Sequence, residues 1–328
     1  MIDLGDIMVE ISEFNAIRFS ENDITDFICP PYDVIAPDEK EKLKKMSPFN
    51  IVNIELPDLL GKKNKYEKAA DLFRLWQSTG VLKRDKNSAL YFYEQIFSDH
   101  GIQMSRNGFF AAMKLSDPNS YKSPVKLHEK TLINQKHDRF EFLETVKANI
   151  SPIFCFFNDE NFIIKNVFNK TCKKIPSAIA RDGNGTFHKL WVVNDEYLIK
   201  TVKKCLFDKN VFIADGHHRY EIAWEYNKKK IKENTCRCSL QEDHNYVLTY
   251  FCPVEDQYIS IWPTHRIVDE PLELELNICK YFDVHSARDF QRLSKKDIQP
   301  IMIFKNGKYR VLTIKKYSLL KKNMPNNS

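Results

Sequence analysis

Asp215-Gly216-His217-His218-Arg219 is the sharpest chemical signal in the chain. An apolar run, Val211 to Ala214, leads into it, and a helical pattern from Tyr220 to about Lys230 leads out. Gly216 permits a tight turn or a close backbone approach. The first N–H groups of the following helix have no partner within it and favour an anion. Arg219 adds a planar donor that can bind phosphate through two hydrogen bonds. Asp215 suits a helix cap or a metal ligand. His217 and His218 diverge by about 100° on a helix, so they do not share one metal ion, but either can contact phosphate. The same five residues also suit a capped helix start with surface histidines.

Three further segments carry chemistry. His128-Glu129-Lys130-Thr131, with Asp138 and Arg139 nearby, packs an acid, a base and a hydroxyl together. There Glu129 is a candidate general base or metal ligand, and Lys130 a phosphate-neutralising cation. Pro31-Tyr32-Asp33 is a rigid turn that can present the Asp33 carboxylate. Pro263-Thr264-His265-Arg266 supplies an imidazole and, in Arg266, another cation. Each of these also reads as a solvated loop or structural corner. The chain has no G-x-x-x-x-G-K-[ST] loop, no G-x-G-x-x-G, no H-E-x-x-H and no G-x-S-x-G elbow. A bound nucleotide would therefore sit outside the P-loop and Rossmann schemes.

The elements that must position these residues interleave strands and helices. Val9 to Phe19 reads as a strand, Asp38 to Met46 as a helix opened by Pro37, and Ile51 to Leu56 as a strand. Lys65 to Thr79 carries Tyr66, Ala69, Ala70, Phe73 and Trp76 at helical spacing and ends at Gly80. Ala89 to Phe97 and Arg106 to Leu115 pair as strands around a turn with Gly101, and Asp138 to Asn149 is a helix. Ser151 to Phe157 is a buried strand, Asn158 to Asn169 a short strand or helix, His188 to Val193 a strand, and Asp195 to Leu206 a helix. Tyr246 to Cys252 and Tyr258 to Trp262 are strands. After Val268 come a helix near Leu272 to Phe282 and strands at Pro300 to Phe304 and Tyr309 to Ile314. The pattern predicts a mixed α/β or α+β fold, with a main domain over 1–268 and a small α/β region over 269–328.

Composition sets the outer bounds. The chain has 328 residues, 43% of them hydrophobic, with 23 Phe and 14 Tyr, which is ample for a core and excludes wholesale disorder. The net charge of +6, mostly from lysine, lacks the dense basic stripe of a duplex-DNA binder. The eight Cys are scattered, and the nearest pair, Cys236 and Cys238, is C-x-C and not a zinc or redox spacing. Reduced thiols, an N-terminus without a signal-peptide pattern and no apolar run of membrane-spanning length predict a cytosolic, cytoplasmic protein off the membrane.

Pro30-Pro31-Tyr32-Asp33-Val34-Ile35, His128-Glu129-Lys130-Thr131, Ser151-Pro152-Ile153-Phe154, Ile213 to Tyr220 and Pro263 to Arg266 occur here in order. In order and spacing they resemble the prokaryotic family catalogued as domain of unknown function 1015, from about Phe14 to Val268. Against that family the chain looks short after Arg266, as a short or truncated member would. More distantly, the strand–D-G-x-H-R–helix unit resembles the phosphate signature of the ParB/sulfiredoxin superfamily, which includes free serine kinases and CTP-binding ParB proteins. That resemblance implies a ParB/sulfiredoxin-like core with extra strands and helices. It also implies a nucleotide phosphate on Gly216, His218 and Arg219, with Asp215 preceding them as in the serine kinases. Sulfiredoxin needs a cysteine where His217 stands, which disfavours sulfinic reduction, and no helix-turn-helix DNA reader is visible.

Together these readings predict a nucleotide-dependent small-molecule kinase. Asp215 to Arg219, Lys130 and Arg266 would hold the phosphates of ATP or ADP. Mg²⁺ would be shared with Asp215, Glu129 or Asp33 would act as base, and His218 would assist at the phosphate. The acceptor would be a small hydroxylated metabolite such as serine. A ParB-type nucleotide switch that forms a homodimer without turnover, and a metal-assisted phosphohydrolase using Asp215, His217 and Glu129, are the alternatives.

Overall fold

Alternation of apolar and polar residues builds a nine-stranded mixed sheet, which organises the first of two units in the computed structural model. The structure describes residues 8–58, 64–99, 101–129, 133–233, 242–255, 274–294 and 300–315. The units are Met1–Ser260 and Ile261–Ser328. In chain order the first runs β1 (Ile11–Ser12), β2 (Ile17–Phe19), α1 (Pro37–Met46), α2 (Val52–Glu55), α3 (Lys65–Ser78), β3 (Leu82–Arg84), β4 (Leu90–Asp99), β5 (Ile102–Lys114), β6 (Val125–Lys126), α4 (Ile133–Val146), β7 (Ile153–Phe157), α5 (Ile163–Thr171), β8 (Ala178–Arg181), β9 (Phe187–Val193), α6 (Glu196–Leu206), β10 (Val211–Asp215), α7 (His217–Glu233) and β11 (Tyr246–Pro253). The sheet order is β6-β10-β7-β11-β5-β4-β9-β8, with β1 added on β5. The β6–β10 and β7–β11 pairs are parallel, and the other pairs are antiparallel.

Two cores follow from this arrangement. Alternate sheet residues, among them Phe92, Phe109, Phe157, Ile213 and Phe251, pack with apolar faces of α5, α6 and α7. Cys155 and Cys205 fill this core as small apolar residues. A second core joins α2, α3 and α4 through Ile54, Tyr66, Phe73, Trp76, Phe142 and Val146.

The second unit has α8 (Leu274–Tyr281), β12 (Phe282–Ser286), α9 (Phe290–Ser294), β13 (Ile301–Lys305) and β14 (Lys308–Ile314). Its sheet order is β12-β14-β13, and central β14 buries Val311 and Leu312. With a large mixed sheet and nine α-helices among the described residues, the fold is mixed α+β. No described helix is long and apolar enough to cross a membrane.

Several sequence expectations need correction. Ile51 to Leu56 is not a strand, because Val52–Glu55 is helical. Asn50 is fully buried, its Oδ1 accepts from Val52 N–H at 3.0 Å, and its amide donates to the Asp26 and Ile28 carbonyls. That capping bond starts a turn where the apolar run suggested extension. Val9 to Phe19 is two strands, because β1 joins the large sheet on β5 while β2 pairs with β3. The helix α4 starts at Ile133, earlier than the Asp138 expected. Asn158 to Asn169 resolves as α5, and β8 was not anticipated. Tyr258 to Trp262 lies outside the described residues.

The start of α5 is capped by a residue ahead of its N-cap position. Phe162 adopts a left-handed φ of 53°, and Asp159, 1% exposed, accepts from Ile163 N–H at 2.8 Å and Ile164 N–H at 2.9 Å. Asp159→Ala is expected to cost about 1–2 kcal/mol, the upper range for a lost cap. Urea unfolding measures it, and a cost near zero would assign the α5 start to packing alone.

Candidate functional site

The C-terminal end of β10 gathers two other segments through sheet register. Parallel pairing sets Phe212 beside Lys126, so the chain after β6 carries His128 and Glu129 alongside the turn after β10. Antiparallel pairing sets Asp215 opposite Phe154, so Ser151 and Pro152 arrive at the same end. Gly216, at φ +94°, turns the chain into α7, and Tyr220 N–H closes the first helical bond on the Gly216 carbonyl at 2.9 Å. That φ favours glycine. The Tyr220 hydroxyl donates to the Ser116 carbonyl at 2.9 Å and accepts from Ser116 N–H at 3.1 Å. This ties α7 to the loop that feeds β6.

Each expected site residue has a definite place. His217 is buried, with its ring edge-to-face against His128 at 4.5 Å. Its Nε2 accepts from His128 N–H at 3.5 Å, and its Nδ1 lies 3.4 Å from Glu129 Oε2. This arrangement fits an Nδ1–H tautomer that donates to the carboxylate. Burial, followed by the neighbouring His128, holds the His217 pKa below its ordinary value, so the ring is neutral near pH 7. The expectation of a surface histidine is therefore corrected at His217, while His218 is half-buried in the first turn of α7. Glu129 is 60% exposed and accessible to a ligand. Lys130 and Arg266 lie outside the described residues.

Arg219 is already engaged. Its Nη2 pairs with Asp215 and its Nη1 donates to the Pro152 carbonyl. Asp215 is 54% exposed, so the pair stands at the surface of the turn. Among the described residues no three His, Cys, Asp or Glu side chains are grouped to hold a metal ion.

A cluster that residue-by-residue reading did not assemble adjoins the turn. Glu55, 5% exposed at the end of α2, accepts from the Ser151 hydroxyl. Arg139 Nη1 donates to the Glu55 carbonyl at 3.2 Å and reaches Oε2 at 3.5 Å. The Arg139 guanidinium stacks 3.5 Å from the centre of the Tyr32 ring. Tyr32 and Asp33 sit in a turn closed by Val34 N–H on the Pro31 carbonyl at 3.1 Å. Burial raises the Glu55 pKa, Ser151, Arg139 and Arg219 oppose the rise, and Asp33 adds to it. Cys29, close to Glu55, has its thiol pushed up to about 12 by burial and is not a reactive thiolate. The turn with Asp33, Ser151-Pro152 and Arg219 therefore converge on one buried carboxylate. Its sequence signal was Pro48 and Asn50, a turn pattern just ahead of the run Ile51 to Leu56 that reads as a strand.

The family model described as "Protein of unknown function (DUF1015)" matches residues 11–326. The match thus extends through the region after Val268, beyond the range that the motifs alone suggested. No curated protein and no solved structure gives a significant match.

Proposed function

The chain belongs to the DUF1015 family, and on that premise we propose that its first unit is a nucleotide-dependent phosphotransferase acting on a small hydroxylated metabolite such as serine. One observation carries the reading. The β10–Gly216–α7 junction joins a helix start, an arginine and an exposed carboxylate from the neighbouring parallel segment. This is the composition a phosphoryl-transfer site needs, namely anion donors on one side and a base on the other. Kinship with the ParB/sulfiredoxin fold is part of the proposal and rests on analogy.

The phosphates of ATP or ADP would lie on the first turn of α7, with Lys130 as a further cation. Mg²⁺ bound with a nucleotide keeps several waters and needs one or two carboxylates; the half-exposed Asp215 meets that need. Because Asp215 now pairs with Arg219, ligand binding exchanges that ion pair for an arginine–phosphate one. Glu129 would accept the proton of the acceptor hydroxyl, and the neutral His217 would orient it by donating Nδ1–H. Asp33 is the alternative base, presented by the Pro31–Val34 turn.

A thermal-shift screen of ATP, ADP, CTP and pyrophosphate with Mg²⁺, on wild type and Arg219→Ala, tests the reading. A ligand at 100 times its Kd adds about 2.7 kcal/mol, or several degrees at roughly 2–4 °C per kcal/mol. The expected result is a shift in wild type that Arg219→Ala abolishes, followed by phosphate transfer to a hydroxylated acceptor. No shift with any nucleotide overturns the reading, and binding without transfer leaves only a nucleotide switch.

A further inference from the structure

Resting on that reading, we propose that Arg139 is a second guanidinium of the phosphate site and acts with Arg219 on the diphosphate portion of the ligand. Nothing in the family match assigns Arg139 a role. It stands on α4, 80 residues from the turn by numbering (219 − 139), yet both arginines bear on the same groups. Arg139 holds Glu55, whose carboxylate also receives the Ser151 hydroxyl, and Arg219 holds the carbonyl of the next residue, Pro152. The charges of both arginines act on Tyr32 and on Glu55.

Arg139 is built as a preorganised cation with capacity to spare. Its plane is fixed by stacking on Tyr32 at 3.5 Å, and its side chain is 13% exposed. Stacking costs an arginine none of its in-plane donors. Its nearest carboxylates satisfy it incompletely. Glu55 Oε2 is 3.5 Å away, and burial of that carboxyl favours its neutral form. Asp138 Oδ2 is 3.9 Å from Arg139 Nε, while Asp138 is itself taken by Lys65 at 2.6 Å and by the Tyr66 hydroxyl. Arg139 Nη2 has no hydrogen-bond partner among the described residues. Asp33 also bears on the cluster; it is exposed, at the surface of its turn. A guanidinium fixed in plane with its Nη2 unpaired among the described residues is suited to a tetrahedral oxyanion, which accepts two parallel hydrogen bonds. In phosphoryl transfer such a clamp stabilises charge on the transferring or leaving phosphate.

Pyrophosphate is the probe, since it carries the diphosphate and no base or sugar. Affinity is measured by titration calorimetry on wild type, Arg219→Ala, Arg139→Lys, Glu55→Gln and the double variant Glu55→Gln/Arg139→Met. The Glu55→Gln background leaves no buried carboxylate unpaired when Arg139 is removed, so the double variant keeps its fold. Melting temperatures without ligand confirm this. The expected result is that Arg139→Lys binds pyrophosphate about tenfold or more weakly than wild type, and that the double variant binds about tenfold or more weakly than Glu55→Gln, the background against which it is read. A folded double variant that binds as tightly as Glu55→Gln overturns the proposal and makes Arg139 a tether between α2 and α4. In that case loss of binding in Arg219→Ala alone would leave the phosphotransferase reading standing. Absence of pyrophosphate and nucleotide binding in wild type overturns both.

Discussion

Gly108→Ala is expected to lower the melting temperature by roughly 5–10 °C, from an overpacking cost of about 3 kcal/mol. Gly108 is in the middle of β5, opposite Tyr93 of β4. A Cβ added there would lie 2.3 Å from the Phe251 carbonyl and 2.5 and 2.7 Å from two ring atoms of Tyr250. The first contact is with backbone, which cannot rotate away, so β5 and β11 would have to part. Tyr250 cannot retreat freely either. Its ring packs on Phe110 at 5.1 Å, Phe154 at 5.2 Å and Tyr93 at 5.5 Å. A ring lying over a strand glycine supplies the packing the glycine lacks, which offsets the usual penalty for glycine in a strand. The double variant Gly108→Ala/Tyr250→Leu should recover only part of the loss, because it relieves the ring contact and leaves the carbonyl contact. Thermal unfolding by circular dichroism measures both. A shift under about 2 °C would show that the sheet yields at this point, against the close-packed behaviour expected of a four-strand aromatic cluster.

How much of this was legible in the sequence depended on how local the determining interaction was. The helix α3 was readable within a residue of its end, because Tyr66, Ala69, Ala70, Phe73 and Trp76 are themselves its buried face. The strand–turn–helix at Asp215 was readable for the same reason, since β10 is short and apolar, Gly216 needs a positive φ, and α7 begins at once. By contrast, β6 has only two residues, Val125 and Lys126, and no periodicity of its own. It exists because β10 offers a free edge, and its register alone brings Glu129 to the turn. Glu55 was hidden in an apolar run, because the bond from Val52 N–H to Asn50 Oδ1 that turns the chain into α2 involves a residue just ahead of that run. Arg139 stood out only as a neighbour of Asp138, and its stack on Tyr32 joins residues more than a hundred positions apart. The residues with chemistry were visible, but the long-range pairings that select among them were not.

Arg139→Met should cost up to about 3 kcal/mol at neutral pH, short of the full range for a buried carboxylate that loses its partner because Glu55 can take up a proton instead. Most of that cost should vanish in Glu55→Gln/Arg139→Met. The reason is the asymmetry of buried charge: Glu55, at 5% exposure, keeps its desolvation penalty when its cation is removed. The pH dependence follows from the direction of the Glu55 shift. Its pKa in the fold lies above the ordinary value of 4.5, with burial the largest cause. Stability contributed by a group shifted upward is fully present below the unfolded value and is lost as pH rises through the folded one. Wild type therefore loses stability from this group as pH climbs from about 4.5, and Glu55→Gln should flatten that part of the curve. In Arg139→Met the folded value rises further, because one of the causes holding it down has gone. The loss then continues to higher pH. The gap between wild type and Arg139→Met should accordingly be small near pH 4, where Glu55 is largely protonated in both folded and unfolded chains, and should widen towards pH 7. Urea unfolding across that range measures it. A gap of constant size would mean that Arg139 acts through its stack on Tyr32 and its bond to the Glu55 carbonyl, with the carboxylate a bystander.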